Sequence, residues 1–184
     1  TIGDICDIEA CFTRIGDPAS REMTDARYSG AFMEYGSYTM LPIFKLLGTD
    51  YDDVSIESIL GKNGIDVFTK VQFRYKNALA TSKTGAGVKS EGQLVIAGTK
   101  GYILAPSPWW LIKKFEVRYE DPNIVDHHEV NFVGVDGFRY EIAEFLNKIN
   151  KTGGNDYRLT ADESIAMAKV VEKFMDIRRG QQGN

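Results

Sequence analysis

The sequence predicts an α+β fold: one large, mostly antiparallel open sheet with helices packed on one face. Two observations carry this. Alternating, strand-like segments follow one another from 52 to 133 with no helical stretch between them, so neighbours must pair mostly antiparallel. Helical periodicity is confined to 30–47 and to the region after 137, so the helices are segregated in sequence and belong on one side of a single sheet. A doubly wound fold, which alternates strand and helix, is excluded.

The elements follow in order. ICDIEACFTR (5–14) alternates, with Cys6, Ile8, Ala10 and Phe12 on one face and Asp7, Glu9 and Cys11 on the other. IGDPASREMTDARY (15–28) is polar, carries Gly and Pro, and reads as a loop. Met40, Ile43, Phe44 and Leu47 then fall at helical spacing, and Gly48 closes that helix. Pro42 belongs near a first turn, so the regular helix is expected to begin near Ser37–Thr39.

VSIESIL (54–60), DVFTKVQFRY (66–75), 77–82 and 92–97 read as strands. Gly98-Thr99-Lys100-Gly101 is a turn joining LVIAG (94–98) to YILA (102–105). FEVRYE (115–120) and HEVNFV (128–133) complete the sheet, and TGAGVKSEG (84–92) reads as a mobile loop. Two helices end the chain. The first carries Phe138, Ile142, Phe145 and Ile149 at i, i+4, i+7 and i+11. The second opens on a Thr160–Glu163 capping box, with Ile165, Met167, Val170, Val171 and Phe174 on its apolar side. The expected organisation is a single substrate-binding and oligomerisation domain over 1–178, with 179–184 a frayed tail.

Composition narrows the classes. The chain has 184 residues, enough for one domain, and a net charge of −4 with no basic stripe, so no nucleic-acid footprint is present. No apolar run is long enough to span a bilayer, and no basic leader precedes an apolar segment, so no membrane partner is expected. Cys6 and Cys11 lie on opposite faces of one strand, roughly 17 Å apart, and cannot bridge each other. A reduced, cytoplasmic compartment is the plain expectation. Thr1 runs into a strand almost at once, which reads as a cut or processed fragment. His127 and His128 are adjacent on a strand and cannot share a metal, and no His/Cys/Asp/Glu spacing suggests one.

Several patches, in this order, resemble the C-terminal domain of the Gfo/Idh/MocA oxidoreductases. Gly3-Asp4-Ile5 entering a strand is like that domain's G-x-[IL]-G-x-[IV] opening. SGAFMEYGSY (29–38), followed by a helix ending in LLG, is similar to G-G-x-L-x-D-x-G-x-[HY]. LVIAGTKGYILA (94–105) is close to the family's l-x-i-x-G-T-x-G-x-i, and YEIAEFLNKI followed by a capped helix looks like its ending. The resemblance implies NAD or NADP in the intact parent. It also implies a missing N-terminal Rossmann domain, since no strand–GxGxxG–helix unit and no E-K-P segment with its catalytic lysine occur here. No cofactor is expected to bind this fragment alone. A sugar-like small molecule is the implied substrate, and a homodimer through the open sheet face is the implied assembly.

By the same resemblance Glu34 and Tyr38 are the candidate catalytic pair. They are spaced i, i+4, and so share a face if the turn is helical. Oxidising an alcohol needs a proton acceptor and groups that orient the reacting carbon; a carboxylate and a phenol can supply orientation and polarisation. Two departures matter: Glu34 stands where Asp is usual, and Tyr38 where many members have His. In plainer terms, Glu34 can simply favour the helix dipole and Tyr38 can be core. Arg27, Gly36, Trp109 and Trp110 are the further substrate-binding candidates. Arg27 can meet an anionic group and the indoles can stack on a sugar face, although a solvated charge and packed aromatics account for them equally simply. The rival reading is a non-catalytic sugar-binding or dimerisation module.

Overall fold

The computed structural model describes residues 2–17, 19–25, 29–131, 137–153 and 158–182. Strand β1 (Ile5–Arg14) is followed by the short helix α1 (Arg21–Thr24) and the long helix α2 (Ala31–Leu47). Seven strands come next: β2 (Asp53–Leu60), β3 (Asp66–Arg74), β4 (Leu79–Ala86), β5 (Leu94–Gly98), β6 (Gly101–Ala105), β7 (Lys114–Arg118) and β8 (Val125–Glu129). A single 3-10 turn, Trp109–Leu111, lies between β6 and β7. Helices α3 (Phe138–Asn150) and α4 (Ala161–Gln182) close the chain, so regular structure continues past residue 178.

All eight strands form one sheet in the order β2-β3-β4-β1-β5-β6-β7-β8. Among the described residues only the β1–β4 pair is parallel; the other neighbours are antiparallel, as consecutive strands without crossover helices require. The α+β architecture with an open sheet is therefore the one the sequence pattern predicts.

Alternation decides what each face holds. Ile8, Val54, Ile56, Val71, Phe73 and Ala80 point to the helix side and are buried, whereas Lys70, Gln72 and Arg74 point to the other face and are exposed. Helix α2 lies over β1, β3 and β4, and α4 packs against α2. The core is aromatic at its centre: Phe44 meets Phe73 edge-on at 5.4 Å, and Phe32 meets Phe174 of α4 at 5.0 Å. Each fully buried side chain of this size stabilises the fold by about 1.5–3 kcal/mol relative to exposure.

The turn between β5 and β6 shows why its glycines are there. A Cβ on Gly98 would come 2.4 Å from the Ile2 carbonyl oxygen, and one on Gly101 would come 2.5 Å from that of Arg118. This close approach lets the amides of Thr99 and Lys100 donate to the carbonyls of Asp4 and Ile2 (3.0 and 2.8 Å), which ties the entering segment to the hairpin.

Several expectations are corrected. Helix α2 starts at Ala31, not near Ser37, and Pro42 sits in its interior. The buried stripe runs back through Phe32, Tyr35 and Gly36 to Met40 and Ile43, and its burial outweighs the roughly 3 kcal/mol an interior proline costs. Pro42 removes the donor to the Tyr38 carbonyl on the outward side of the helix, where water can replace it. Residues 84–86 belong to β4, and the following loop is held to β1: Ser90 shares hydrogen bonds with Cys11 Sγ (3.1 Å) and Thr13 Oγ1 (3.0 Å). On α4, Ile165 is exposed and Arg178 is buried instead. Helix α3 buries none of its residues; Phe138, Ile142, Phe145 and Ile149 are all exposed, so this amphipathic stripe covers no part of the sheet. Cys6 and Cys11 are both free thiols. No helix among the described residues is long and apolar enough to cross a membrane.

The capping box at α4 also joins α4 to the end of α2. Glu163 accepts from the Thr160 amide (2.7 Å), the Glu163 amide donates to Thr160 Oγ1 (3.2 Å), and Lys45 Nζ lies 2.8 Å from Glu163 Oε2. Burial pushes the Glu163 carboxyl up, but the Lys45 ammonium and the Thr160 donors more than offset it, so its pKa falls below the ordinary value of 4.5. A depressed carboxylate contributes stability above its unfolded pKa and loses it as pH falls through the folded one. Wild-type protein should therefore lose more stability than Glu163→Gln between pH 5 and the acid limit of folding. Urea melts at stepped pH check this, and parallel acid curves would contradict it.

Candidate functional site

Helix α2 presents Glu34 and Tyr38 on its outward face, one turn apart, with Phe32, Tyr35, Gly36 and Thr39 turned inward. The turn is helical, so the two side chains share a face, about 5–6 Å apart at Cβ. Three polar contacts, the first two buried and the third part-buried, pin that helix to the sheet. At its start the Phe32 amide donates to Asp66 Oδ2 (2.8 Å). At mid-length Thr39 Oγ1 and Ser82 Oγ share a 2.6 Å hydrogen bond. At its end the Tyr75 hydroxyl donates to the Gly48 carbonyl (2.9 Å). Burial drives the Tyr75 phenol well above its usual pKa, so it remains a donor.

Beside Tyr38 is an aromatic platform. Trp110 stacks on Phe12 at 3.7 Å between ring centroids with 23° between planes, Tyr35 packs on Phe12 at 4.4 Å, and Tyr38 meets Phe12 edge-on at 5.3 Å. Phe12 is 7% exposed and forms the floor, while Tyr38 is 51% exposed and reaches the surface. The geometry thus brings Tyr38 and Trp110 together over a residue the sequence reading did not single out. Phe12 was legible only as the last member of the Ile8–Ala10–Phe12 alternation.

The other candidates are placed differently. Trp109 packs among Ala10, Ala105 and Ile112, and its indole N–H donates to the Cys11 carbonyl (2.7 Å), so its ring belongs to the sheet packing. Gly36 is buried, and a Cβ there would meet the Phe32 ring at 2.7 Å; it serves close packing inside α2. Arg27 lies outside the described residues. His127 and His128 point to opposite faces: His127 Nδ1 lies 3.3 Å from Glu116, and His128 stacks on Phe115 at 4.6 Å. Among the described residues no group of three or more His, Cys, Asp or Glu side chains could hold a metal ion.

A cavity of about 480 Å³ lies away from this platform, at the Ile5 end of β1. Ile5, Leu46, Ile96, Ile103 and Val117 line it, with Tyr119, Asp126 and His128 among its polar groups. The Tyr119 hydroxyl donates to Asp126 Oδ2 (2.9 Å). Glu34 and Tyr38 do not line it, and the site of interest is instead an open shelf.

Solved structures with the same architecture carry the comparison further. The aldose-aldose oxidoreductase of Caulobacter crescentus, complexed with glycerol, superposes with a TM-score of 0.76 at 14% identity, over 98% of this chain and 55% of that one. The UDP-N-acetylglucosamine 3-dehydrogenase of Acidithiobacillus ferrooxidans gives 0.68 at 16% identity, over 96% and 54%. The 3-ketoreductase KijD10 of Actinomadura kijaniata, in complex with TDP-benzene and NADP, gives 0.68 at 14%, over 90% and 49%. This chain has the fold of a Gfo/Idh/MocA C-terminal domain. It spans about half the length of these structures. No family model matches the sequence, and no curated protein matches it.

The stacking makes Phe12 the support of the platform. Phe12→Ala should destabilise the fold by about 3–5 kcal/mol and shift tryptophan emission to the red, with the shift absent in a Trp110→Phe background. Denaturant melts and emission spectra check both, and an unchanged spectrum would contradict the stacked arrangement.

Proposed function

We propose that this chain is the substrate-facing half of an NAD(P)-dependent oxidoreductase acting on a hydroxyl of a sugar, cyclitol or nucleotide sugar. The observation that carries the reading is the shelf itself. Glu34 and Tyr38 stand one turn apart on α2, and Tyr38 opens to solvent beside Trp110 on Phe12, in a fold shared with sugar and nucleotide-sugar oxidoreductases.

The dinucleotide does not fit residues of this chain. A pyrophosphate cradle needs a strand, a glycine turn and a helix N-terminus in succession. Here Gly85 ends in β4, and Gly87 and Gly92 lie in the loop that leads to β5, another strand. The nucleotide belongs to a Rossmann half outside these residues, and the chain alone is inactive. The nucleotide supplies redox chemistry in the complete protein; this chain binds and orients.

Its own residues suit that task. A sugar presents an apolar C–H face and a rim of hydroxyls, and Trp110 offers a partly exposed indole for the former. The Tyr38 phenol can hydrogen-bond the reacting oxygen. As a hydrogen-bond donor it polarises that oxygen. The Glu34 carboxylate, exposed on the same face, accepts from a neighbouring hydroxyl and fixes the sugar's rotation.

A second reading is a non-catalytic sugar-binding or dimerisation module. The open sheet face favours it, since Ile59 and Leu79 stand exposed there among charged neighbours. Either way we place a homodimer contact on that face.

The test uses the full-length gene product with a panel of aldoses, cyclitols and UDP- and TDP-sugars, followed by NAD(P)H absorbance. Turnover is expected with at least one of them. Tyr38→Phe should lower kcat by about 10²–10³-fold with little change in KM, and Glu34→Gln should raise KM. Sugar binding without turnover would replace the enzyme by the second reading.

A further inference from the structure

Asp66 stands at the start of β3, 34 residues from the helix it touches, and its role is not explained by the sheet. It is fully buried. Its Oδ2 accepts from the Phe32 amide (2.8 Å) and from the Thr69 hydroxyl (2.7 Å), while Oδ1 has no hydrogen-bond partner among the described residues. An unpaired buried carboxylate oxygen costs stability, so its retention needs a reason.

Gly30 gives the geometry. Its φ of 131° lies in the region L side chains avoid, and a Cβ there would fall 1.8 Å from Asp66 Oδ1. The glycine and the carboxylate therefore occupy complementary space at the amino end of α2. Arg178, from the far end of α4, encloses the same corner: its guanidinium donates to the Ser29 carbonyl (2.9 Å) and, through Nε, to that of Gly64 (3.2 Å). Two distant segments, around Asp66 and at Arg178, thus meet at the residues that begin α2.

We propose that Asp66 is the positioning residue of the candidate site, holding the first turn of α2 so that Tyr38 meets the Phe12–Trp110 platform and Glu34 shares its outward face. This rests on the reading of that shelf as a substrate site. The helix needs such a stop. Its buried stripe is made of Phe32, Tyr35, Gly36, Thr39 and Met40, and apolar contacts alone tolerate small rotations about the helix axis. A side chain at a radius of about 6 Å moves about 2 Å for a 20° rotation. Displacement on that scale costs about a hundredfold in rate at a site that must align reacting atoms. The Thr39–Ser82 hydrogen bond fixes the helix about two turns further on, but the cap is the anchor nearer Glu34, whose own amide donates to the Gly30 carbonyl (3.1 Å).

The experiment compares Asp66→Ala, Asp66→Asn and Gly30→Ala in the full-length gene product. It reads kcat and KM for the sugar and the nucleotide, and amide exchange at Phe32 and Glu34 against core amides at Ile8 and Val71. Asp66→Ala and Gly30→Ala should each lower kcat about 10–100-fold, leave KM for the nucleotide within twofold, and speed exchange at Phe32 and Glu34 alone. Asp66→Asn keeps an acceptor for the Phe32 amide and should recover most of kcat. If Asp66→Ala leaves kcat within twofold and only the melting temperature falls, the positioning role is overturned and the cap is structural. If the wild-type protein turns over no sugar with either nucleotide, the functional reading fails. The exchange data then decide the proposal separately, and unchanged exchange at Phe32 in Asp66→Ala overturns it.

Discussion

The burial of one carboxylate against the start of one helix organises this molecule. Asp66 is dehydrated beneath α2, and burial raises its carboxyl above the ordinary aspartate range, although the Thr69 hydroxyl, the Phe32 amide and the Arg178 guanidinium all favour its charged form. The helix end offers unsatisfied amides and a positive dipole end, which offset part of the desolvation. In exchange the cap fixes where α2 begins. From that point α2 runs over β1, β3 and β4, meets α4, and presents Glu34 and Tyr38 outward.

The same arrangement explains why some of the fold is legible in the sequence and some is not. Strand alternation, the Thr160–Glu163 box and the Gly98–Gly101 turn are local patterns, and each is realised close to where the pattern lies. The start of α2 is not local. Pro42 argues for a late start, while the stripe from Phe32 and a cap supplied from residue 66 argue for an early one, and tertiary packing prevails. The loop after β4 is rich in glycine, yet its Ser90 and Glu91 are bound by β1 and by Lys83 across the sheet surface. A glycine count cannot show such partners.

The site divides the same way. Glu34 and Tyr38 are candidates through the resemblance, and only their shared face is readable from the sequence, because helical spacing is local. Phe12, which brings Tyr38 and Trp110 together, is 26 residues from one and 98 from the other, and only the sheet unites them. Helix α3 is the opposite case. Its stripe is plain in the sequence, but it buries nothing within this chain. Among the described residues nothing covers that stripe.

The claim that this chain faces substrate while another half holds the nucleotide is tested most directly by titrating NADH and NADPH, followed by nucleotide fluorescence, into this chain and into the full-length gene product side by side. The account predicts saturable binding of one nucleotide by the full-length protein and none by this chain. Micromolar binding by this chain would contradict it, because the sequence holds no strand–GxGxxG–helix unit to cradle a pyrophosphate.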